Sequence, residues 1–213
     1  VGTMKKLGFG YEDVKKINPK IIYCSISGFG TTGPYSKRGG FDLIAQGMSG
    51  LMSITGHKDT APVKVGVPIA DLNTGMFAMQ GILSAYIHRL KSGEGQFLEV
   101  SLLESALAYT MYESSIYFTT GSISEPDGSA HRLTAPYQAF KTKDGYINLG
   151  AANQSNWERF VDVIGMSKLK EDSRFMTSDM RQINRKELEV ILEKVFSTKN
   201  NKEWITILLD NGI

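Results

Sequence analysis

The sequence of 213 residues contains one cysteine, Cys24, so no intrachain disulfide can form, and this fits a reducing compartment. Cys24 lies in an apolar run with Ile21, Ile22, Tyr23 and Ile26 and reads as a core thiol. A nucleophilic cysteine needs a nearby base, and none stands close in the sequence. No stretch approaches the roughly 20 apolar residues that a membrane-spanning helix needs, and no leader-like segment opens the chain. The three histidines, His57, His88 and His131, stand apart from one another and from any cysteine or paired acidic motif, so metal-ligand spacing is absent. There is no Gly-x-Ser-x-Gly elbow and no phosphate loop ending in Gly-Lys-Ser/Thr. The formal net charge of only +2 gives no reason to expect a nucleic-acid or bulk membrane partner.

What is there is ordinary globular material: 41% hydrophobic and 22% charged residues, enough for one large domain or two small ones. Residues 11–19 read as a charged helix closed by Asn18-Pro19, and Lys20 to Ser27 as a buried strand. A long glycine-rich loop then runs from Gly28 to Gly40, beyond a strand end, where α/β proteins often hold ligands. Phe41 to Met52 reads as a short apolar helix, and 53–68 as a turn-rich connection. From Leu72 to Leu90 apolar residues recur at three- and four-residue steps (Leu72, Met76, Met79, Leu83, Tyr86, Leu90), the strongest helix signal in the chain. Ser92-Gly93-Glu94-Gly95 ends it, Gln96 to Ser101 forms a strand, and Leu102 to about Phe118 a second apolar helix.

The polar, Gly/Ser-rich residues 119–134 suggest a linker, with a domain boundary near 120–135. Tyr137 to Thr142 and Tyr146 to Ala151, joined by Lys143-Asp144-Gly145, predict a hairpin. Helices follow around 155–164, 184–196 and 202–210; Asn184 with Glu187 three residues on gives the second a capping-box pattern. The start at Val-Gly-Thr-Met and the stop at Asn211-Gly212-Ile213 read as cuts through a longer protein.

Two segments bear on chemistry. Gly28-Phe29-Gly30-Thr31-Thr32-Gly33 matches Gly-x-Gly-x-x-Gly after a strand, but Pro34 follows at once and no helix opens, so a dinucleotide site is discounted. Pro68-Ile69-Ala70-Asp71-Leu72-Asn73-Thr74-Gly75 places one acid between an apolar segment and the long helix. Asp71 reads first as an N-cap whose carboxylate serves free backbone N–H groups. A carboxylate at a helix start is also kept ionised, as a nucleophile requires. Gly75, Ala78 and Gly81 leave room for something to approach one side of the helix, or permit close packing on a neighbour.

Several segments together resemble the class III CoA-transferase family, which includes formyl-CoA and carnitine CoA-transferases. They are Gly39-Gly40-Phe41-Asp42-Leu43-Ile44-Ala45-Gln46-Gly47-Met48-Ser49-Gly50, Ala70-Asp71-Leu72-Asn73-Thr74-Gly75 with Gly81-Ile82-Leu83, and Ser92-Gly93-Glu94-Gly95-Gln96 with Ser101-Leu102-Leu103-Glu104. Ala135-Pro136-Tyr137-Gln138-Ala139-Phe140 and Asp144-Gly145-Tyr146-Ile147 extend the likeness into the second half, which looks closest to the succinate–hydroxymethylglutarate type.

The resemblance implies an α/β fold: part of a Rossmann-like, CoA-binding large domain over 1–125, then an incomplete small α+β domain over 126–213. Family members are about twice this long and form interlocked homodimers. Their substrates are an acyl-CoA donor and a carboxylic acid acceptor, with coenzyme A as the carried group and no metal.

Asp71 matches the family's catalytic aspartate. Thr3, Lys6, Leu7, Arg38, Gly39, Gly40 and Phe41 match its CoA contacts, Lys6 and Arg38 as phosphate partners. Gly39 stands where some members carry a lysine, and Phe41 where some carry a tyrosine. An α-methylacyl-CoA racemase is the nearest alternative, but its histidine belongs in the stretch held here by Gly39-Gly40-Phe41-Asp42. An inactive CoA-binding fragment is the other. Cytoplasm or mitochondrial matrix suits the composition.

Overall fold

A computed structural model describes residues 1–213. In chain order its elements are α1 (Thr3–Lys6), α2 (Tyr11–Ile17), β1 (Ile22–Ser27), α3 (Asp42–Met48), α4 (Leu51–Ile54), α5 (Ile69–Ser92), β2 (Gln96–Ser101), α6 (Leu102–Leu107) and α7 (Met111–Thr120). Then come β3 (Tyr137–Lys141), β4 (Tyr146–Gly150), α8 (Gln154–Val163), α9 (Ser178–Ile183), α10 (Arg185–Phe196) and α11 (Asn201–Asp210). The fold is mixed α/β, and the chain divides into two compact units, Val1–Pro126 and Asp127–Ile213. No helix is long and apolar enough to cross a membrane.

In the first unit β1 and β2 pair in parallel, from Ile22 opposite Gln96 to Ser27 opposite Ser101. Parallel neighbours need a long crossover, and the segment holding α3, α4 and α5 supplies it. The single helix expected over 41–52 is two, because Gly50 breaks it in a left-handed conformation (φ 87°). β1, expected to be buried, is half-buried, with Ile26 53% exposed. The pair has no third strand on either edge, so its cover is incomplete.

The periodicity that marks α5 is carried by large residues, yet its buried face is the small one: Ala70, Thr74, Ala78 and Ala85. Gly81 continues that stripe, since a Cβ there would sit 3.6 Å from the Leu98 side chain on β2. Small residues let the helix axis lie close to the strands, while Leu72, Met76, Met79, Leu83 and Leu90 are exposed.

The run of α5 is fixed at both ends. At its C-terminus Gly93 (φ 76°) donates its N–H to the Arg89 carbonyl, and the Arg89 guanidinium donates to the Lys20 carbonyl just before β1. At its N-terminus Ala70 and Ile69 join a small core with Ala45, Leu51, Leu102 and Ala106. Leu102 follows directly on β2, so the helix begins at the C-terminal edge of the strands.

The second unit packs α8, α10 and α11 on a hairpin of β3 and β4, registered from Tyr137 opposite Gly150 to Lys141 opposite Tyr146. Alternation along both strands buries Phe140, Ile147 and Leu149 against Trp157, Phe160, Leu192, Phe196 and Trp204. Unforeseen in the sequence is Arg181, fully buried on α9. Its guanidinium donates to the carbonyls of Ala135, Ala152 and Phe175 and to Gln154 Oε1, and its face lies 4.9 Å from the Trp157 ring centroid.

The capping box expected at Asn184 does not form. The Asn184 amide instead donates to the carbonyls of Arg174 and Met180, and Glu187 pairs with Arg174. A complete box opens α11: Asn200 Oδ1 accepts from Glu203 N–H and Glu203 Oε2 from Asn200 N–H, both at 2.9 Å. Asn200→Ala is therefore expected to destabilise the chain by about 1 kcal/mol in urea unfolding, with Asn200→Ser recovering most of the loss. An unchanged midpoint in Asn200→Ala would show that the box contributes nothing.

Candidate active site

The start of α5 is unusual in how it is held. Its N-cap, Pro68, offers no side-chain acceptor, so the first-turn N–H groups must find partners elsewhere. Ile69 N–H donates to the Val67 carbonyl at 2.8 Å. Ala70 N–H donates at 2.9 Å to Oδ1 of Asp42, 28 residues upstream in the first turn of α3. The other Asp42 oxygen accepts from Gln46 Nε2 at 2.7 Å. Gln46 is fully buried, and its Oε1 accepts from Val65 N–H at 2.8 Å.

Asp71 is thus the third residue of the helix and not its cap, a correction to the simplest reading of the sequence. Its carboxylate is exposed and makes no hydrogen bond or ion pair, and its backbone N–H has no protein acceptor. Around it the motif divides cleanly. Ala70 is buried, Thr74 Oγ1 donates to the Ala70 carbonyl, and Asn73 Nδ2 donates to the Ser105 carbonyl at 2.6 Å on α6. Asp71, Leu72 and Gly75 face outward; nothing lies within 4 Å of a Cβ built on Gly75. Ser101 caps α6, accepting from Glu104 N–H and donating to the Glu104 carboxylate at 2.7 Å, which fixes the surface that Asn73 meets.

The residues 38–41 sit next to this start. Gly40 meets Gly28 backbone to backbone: a Cβ on Gly28 would lie 2.5 Å from Gly40 Cα, and one on Gly40 would press still closer on Gly28 Cα. Gly28 immediately follows β1, and its carbonyl accepts from Leu103 N–H, so the loop is clamped to the C-terminal edge of the strands. Arg38 is exposed, its guanidinium stacked 4.6 Å from the Tyr35 ring centroid and free of any acid. Gly39 is open on the Cβ side, and Phe41, the exposed N-cap of α3, directly precedes Asp42.

Thr3, Lys6 and Leu7 lie on or just after α1, all exposed. Thr3 lines a cleft of about 520 Å³ with Tyr11, Tyr23, Ser25, Thr31 and Phe97; Lys6 and Leu7 do not. No hydrogen bond or ring contact joins these three to residues 38–41. The Asp42–Ala70 bond thus ties the start of α3, which directly follows Gly40 and Phe41, to the start of α5, which carries Asp71, while Thr3, Lys6 and Leu7 stand on or just after α1 without a bond to either.

Asp42 and Gln46 were not singled out in the sequence, although an acid and an amide four residues apart on a helix are a recognisable bonding pair. No group of three His, Cys, Asp or Glu side chains is arranged to hold a metal. Cys24 is half-buried, and burial pushes its thiol pKa up, away from the thiolate.

Comparison with known proteins agrees with the motifs. CoA-transferase family III matches residues 1–213. A succinyl-CoA:glutarate CoA-transferase from Mus musculus is 41% identical over 212 residues, covering 100% of this chain and 49% of its own. Its Homo sapiens counterpart is 39% identical over 212 residues, covering 100% and 48%. The crystal structure of a CAIB/BAIF family protein from Brucella suis superposes with a TM-score of 0.84 at 36% identity, covering 100% of this chain and 56% of that one. The chain spans about half the length of the curated relatives it matches.

Two outcomes follow from the geometry. Gly40→Ala forces its methyl into the Gly28 backbone and is expected to lower stability by about 1–3 kcal/mol in thermal or urea unfolding; wild-type stability would mean that the close approach is absent. Alkylation of Cys24 at pH 8 is expected to run several-fold slower in the folded chain than in urea, with equal rates marking an accessible, reactive thiol instead.

Proposed function

The chain belongs to CoA-transferase family III, and on that premise we propose that it carries the nucleophile of an acyl-CoA:carboxylate CoA-transferase. The observation that carries this reading is Asp71: an unpaired, outward carboxylate on a helix start whose neighbours are buried and bonded. A nucleophilic carboxylate needs its oxygens free for attack, and neither oxygen of Asp71 is given to a protein donor.

The reaction proceeds in two exchanges. An Asp71 carboxylate oxygen attacks the donor thioester carbonyl; the C–S bond breaks, CoA leaves as thiolate, and an acyl–aspartyl anhydride remains. The thiolate then attacks the aspartyl carbonyl of that anhydride, freeing the donor acid as carboxylate and leaving CoA on Asp71 as a thioester. The acceptor carboxylate attacks this thioester and expels the thiolate, forming a second anhydride. Attack of the thiolate on the acceptor's acyl carbon releases the new acyl-CoA and restores the Asp71 carboxylate. Activation is conserved throughout as long as water is kept out. The Asp71 N–H, without a protein acceptor, is available to a developing oxyanion beside it.

CoA itself is assigned to the glycine-clamped edge. Gly39 and Gly40 let the pantetheine approach the backbone, Phe41 flanks it, and Arg38 and Lys6 are free cations for its phosphates, with Thr3 and Leu7 along the α1 wall. The first unit is read as part of a Rossmann-like layer. Its parallel pair lacks further strands and α5 keeps a large apolar face exposed, as expected where more polypeptide or a partner of an interlocked homodimer packs. The names of the mammalian relatives suggest a short dicarboxylic acid for donor or acceptor.

The test uses a chain of full family length incubated with succinyl-CoA and trapped with hydroxylamine. Mass spectrometry is expected to find the hydroxamate at Asp71, and Asp71→Ala to lose transfer by roughly 10³-fold or more. Full transfer by Asp71→Ala would overturn the assignment. Exchange of the α-hydrogen for deuterium without acyl transfer would favour a racemase.

A further inference from the structure

We propose that Asp42 is a positioning residue for the Asp71 nucleophile, acting from another helix as the cap that α5 lacks. The proposal rests on Asp71 being the nucleophile.

Four observations carry it. Pro68 provides no cap. The one side-chain acceptor in the first turn of α5 is Asp42 Oδ1, on the amide of Ala70, the residue preceding Asp71. Asp42 cannot turn away, because its second oxygen is held by the fully buried Gln46 amide. Gln46 in turn grips Val65 N–H, so the stretch of chain entering α5 is fastened to the same helix.

Chemically this arrangement does something a local cap would not. An N-cap at position 68 would anchor the helix start to its own loop. Asp42 anchors it to α3, whose N-cap Phe41 and preceding Gly40 belong to the segment assigned to CoA. Nucleophile and thioester are then referred to one rigid point. A charge-assisted bond donated to a carboxylate also sets this first turn more firmly than one to a neutral acceptor would. Misplacement of a reacting atom by about 1 Å costs on the order of 100-fold in rate. Ala70 immediately precedes Asp71, so fraying of the peptide unit at Ala70 displaces the nucleophile directly.

The bonding pattern predicts its own rescue. In Asp42→Asn the introduced amide can still accept from Ala70 N–H, but its NH₂ then confronts the NH₂ of Gln46. In the double variant Asp42→Asn with Gln46→Glu, polarity is exchanged. The amide introduced at position 42 donates to the carboxylate introduced at position 46, which still accepts from Val65 N–H, and Ala70 keeps its acceptor; only the long 3.5 Å bond from the Gln46 amide to the Val67 carbonyl is given up.

The experiment measures, in a chain of full family length, the single-turnover rate of Asp71 acylation by succinyl-CoA per folded molecule, alongside hydrogen exchange at the Ala70 amide. Asp42→Ala is expected to slow acylation by roughly 10- to 100-fold at temperatures where it remains folded, and to speed Ala70 exchange. Asp42→Asn should be slowed as well, and the double variant should recover most of the loss in both readouts.

A merely structural role would lower the folded fraction and leave the rate per folded molecule unchanged; that result overturns the proposal, as does slow acylation with unaltered Ala70 exchange. If Asp42→Ala does not fold, the comparison of Asp42→Asn with the double variant decides, and absence of rescue overturns the proposal. An Asp71→Ala variant that still transfers CoA is a different failure, of the nucleophile assignment itself.

Discussion

The bond from Ala70 N–H to Asp42 governs how the first unit is built. A helix of 24 residues opens on a proline, which leaves its first turn without a side-chain acceptor from its own N-cap. Ala70 is fully buried among Ala45, Leu51, Leu102 and Ala106, out of reach of water. An unpaired N–H in that setting would cost about 1–3 kcal/mol. Asp42 removes the cost, and Gln46 satisfies what remains of Asp42 while fastening Val65. Two segments far apart in sequence, α3 and the stretch that enters α5, are thereby locked by one carboxylate and one amide.

The second constraint is distance. The buried stripe of α5 is Ala70, Thr74, Ala78 and Ala85, continued by the half-buried Gly81, so the helix can settle close on the strands. At the far end the same economy of side-chain volume recurs, since a Cβ on Gly95 would collide with the Ile21 carbonyl oxygen. At the near end Gly28 and Gly40 touch through bare backbone. Both edges of the parallel pair are therefore spaced by absent side chains, and the loop between β1 and α3 can lie flat on the edge where Asp71 emerges.

These features explain which parts of the molecule were legible in the sequence. Element types follow hydrophobic periodicity, so α5, both strand pairs, α8, α10 and α11 stand near their expected places. Periodicity does not say which face is buried when large and small apolar residues alternate around the helix. In α5 the large face carried the signal and the small face carries the packing. Caps are similarly ambiguous. Asn184 and Asn200 each precede a glutamate by three residues, but Asn184 is diverted to the carbonyls of Arg174 and Met180 and only Asn200 closes a box. Arg181 was invisible because its environment is assembled from carbonyls at positions 135, 152 and 175. Asp71 was displaced from cap to third helical residue for the same reason: the true cap lies in another element.

The displacement strengthens the chemical argument. A carboxylate spent on capping is tied to backbone N–H groups, and its lone pairs are directed into the helix. With Asp42 doing the capping, Asp71 keeps the favourable potential of the helix start and yields none of its oxygens to it. Within Ala70-Asp71-Leu72-Asn73-Thr74-Gly75 the polar groups that could compete, Asn73 and Thr74, are bonded inward. Of the outward three, Leu72 and Gly75 offer no reactive group. What the motif presents at the end of the strands is a single unpaired carboxylate on a fixed mount, which is what the proposed attack of Asp71 on a thioester requires.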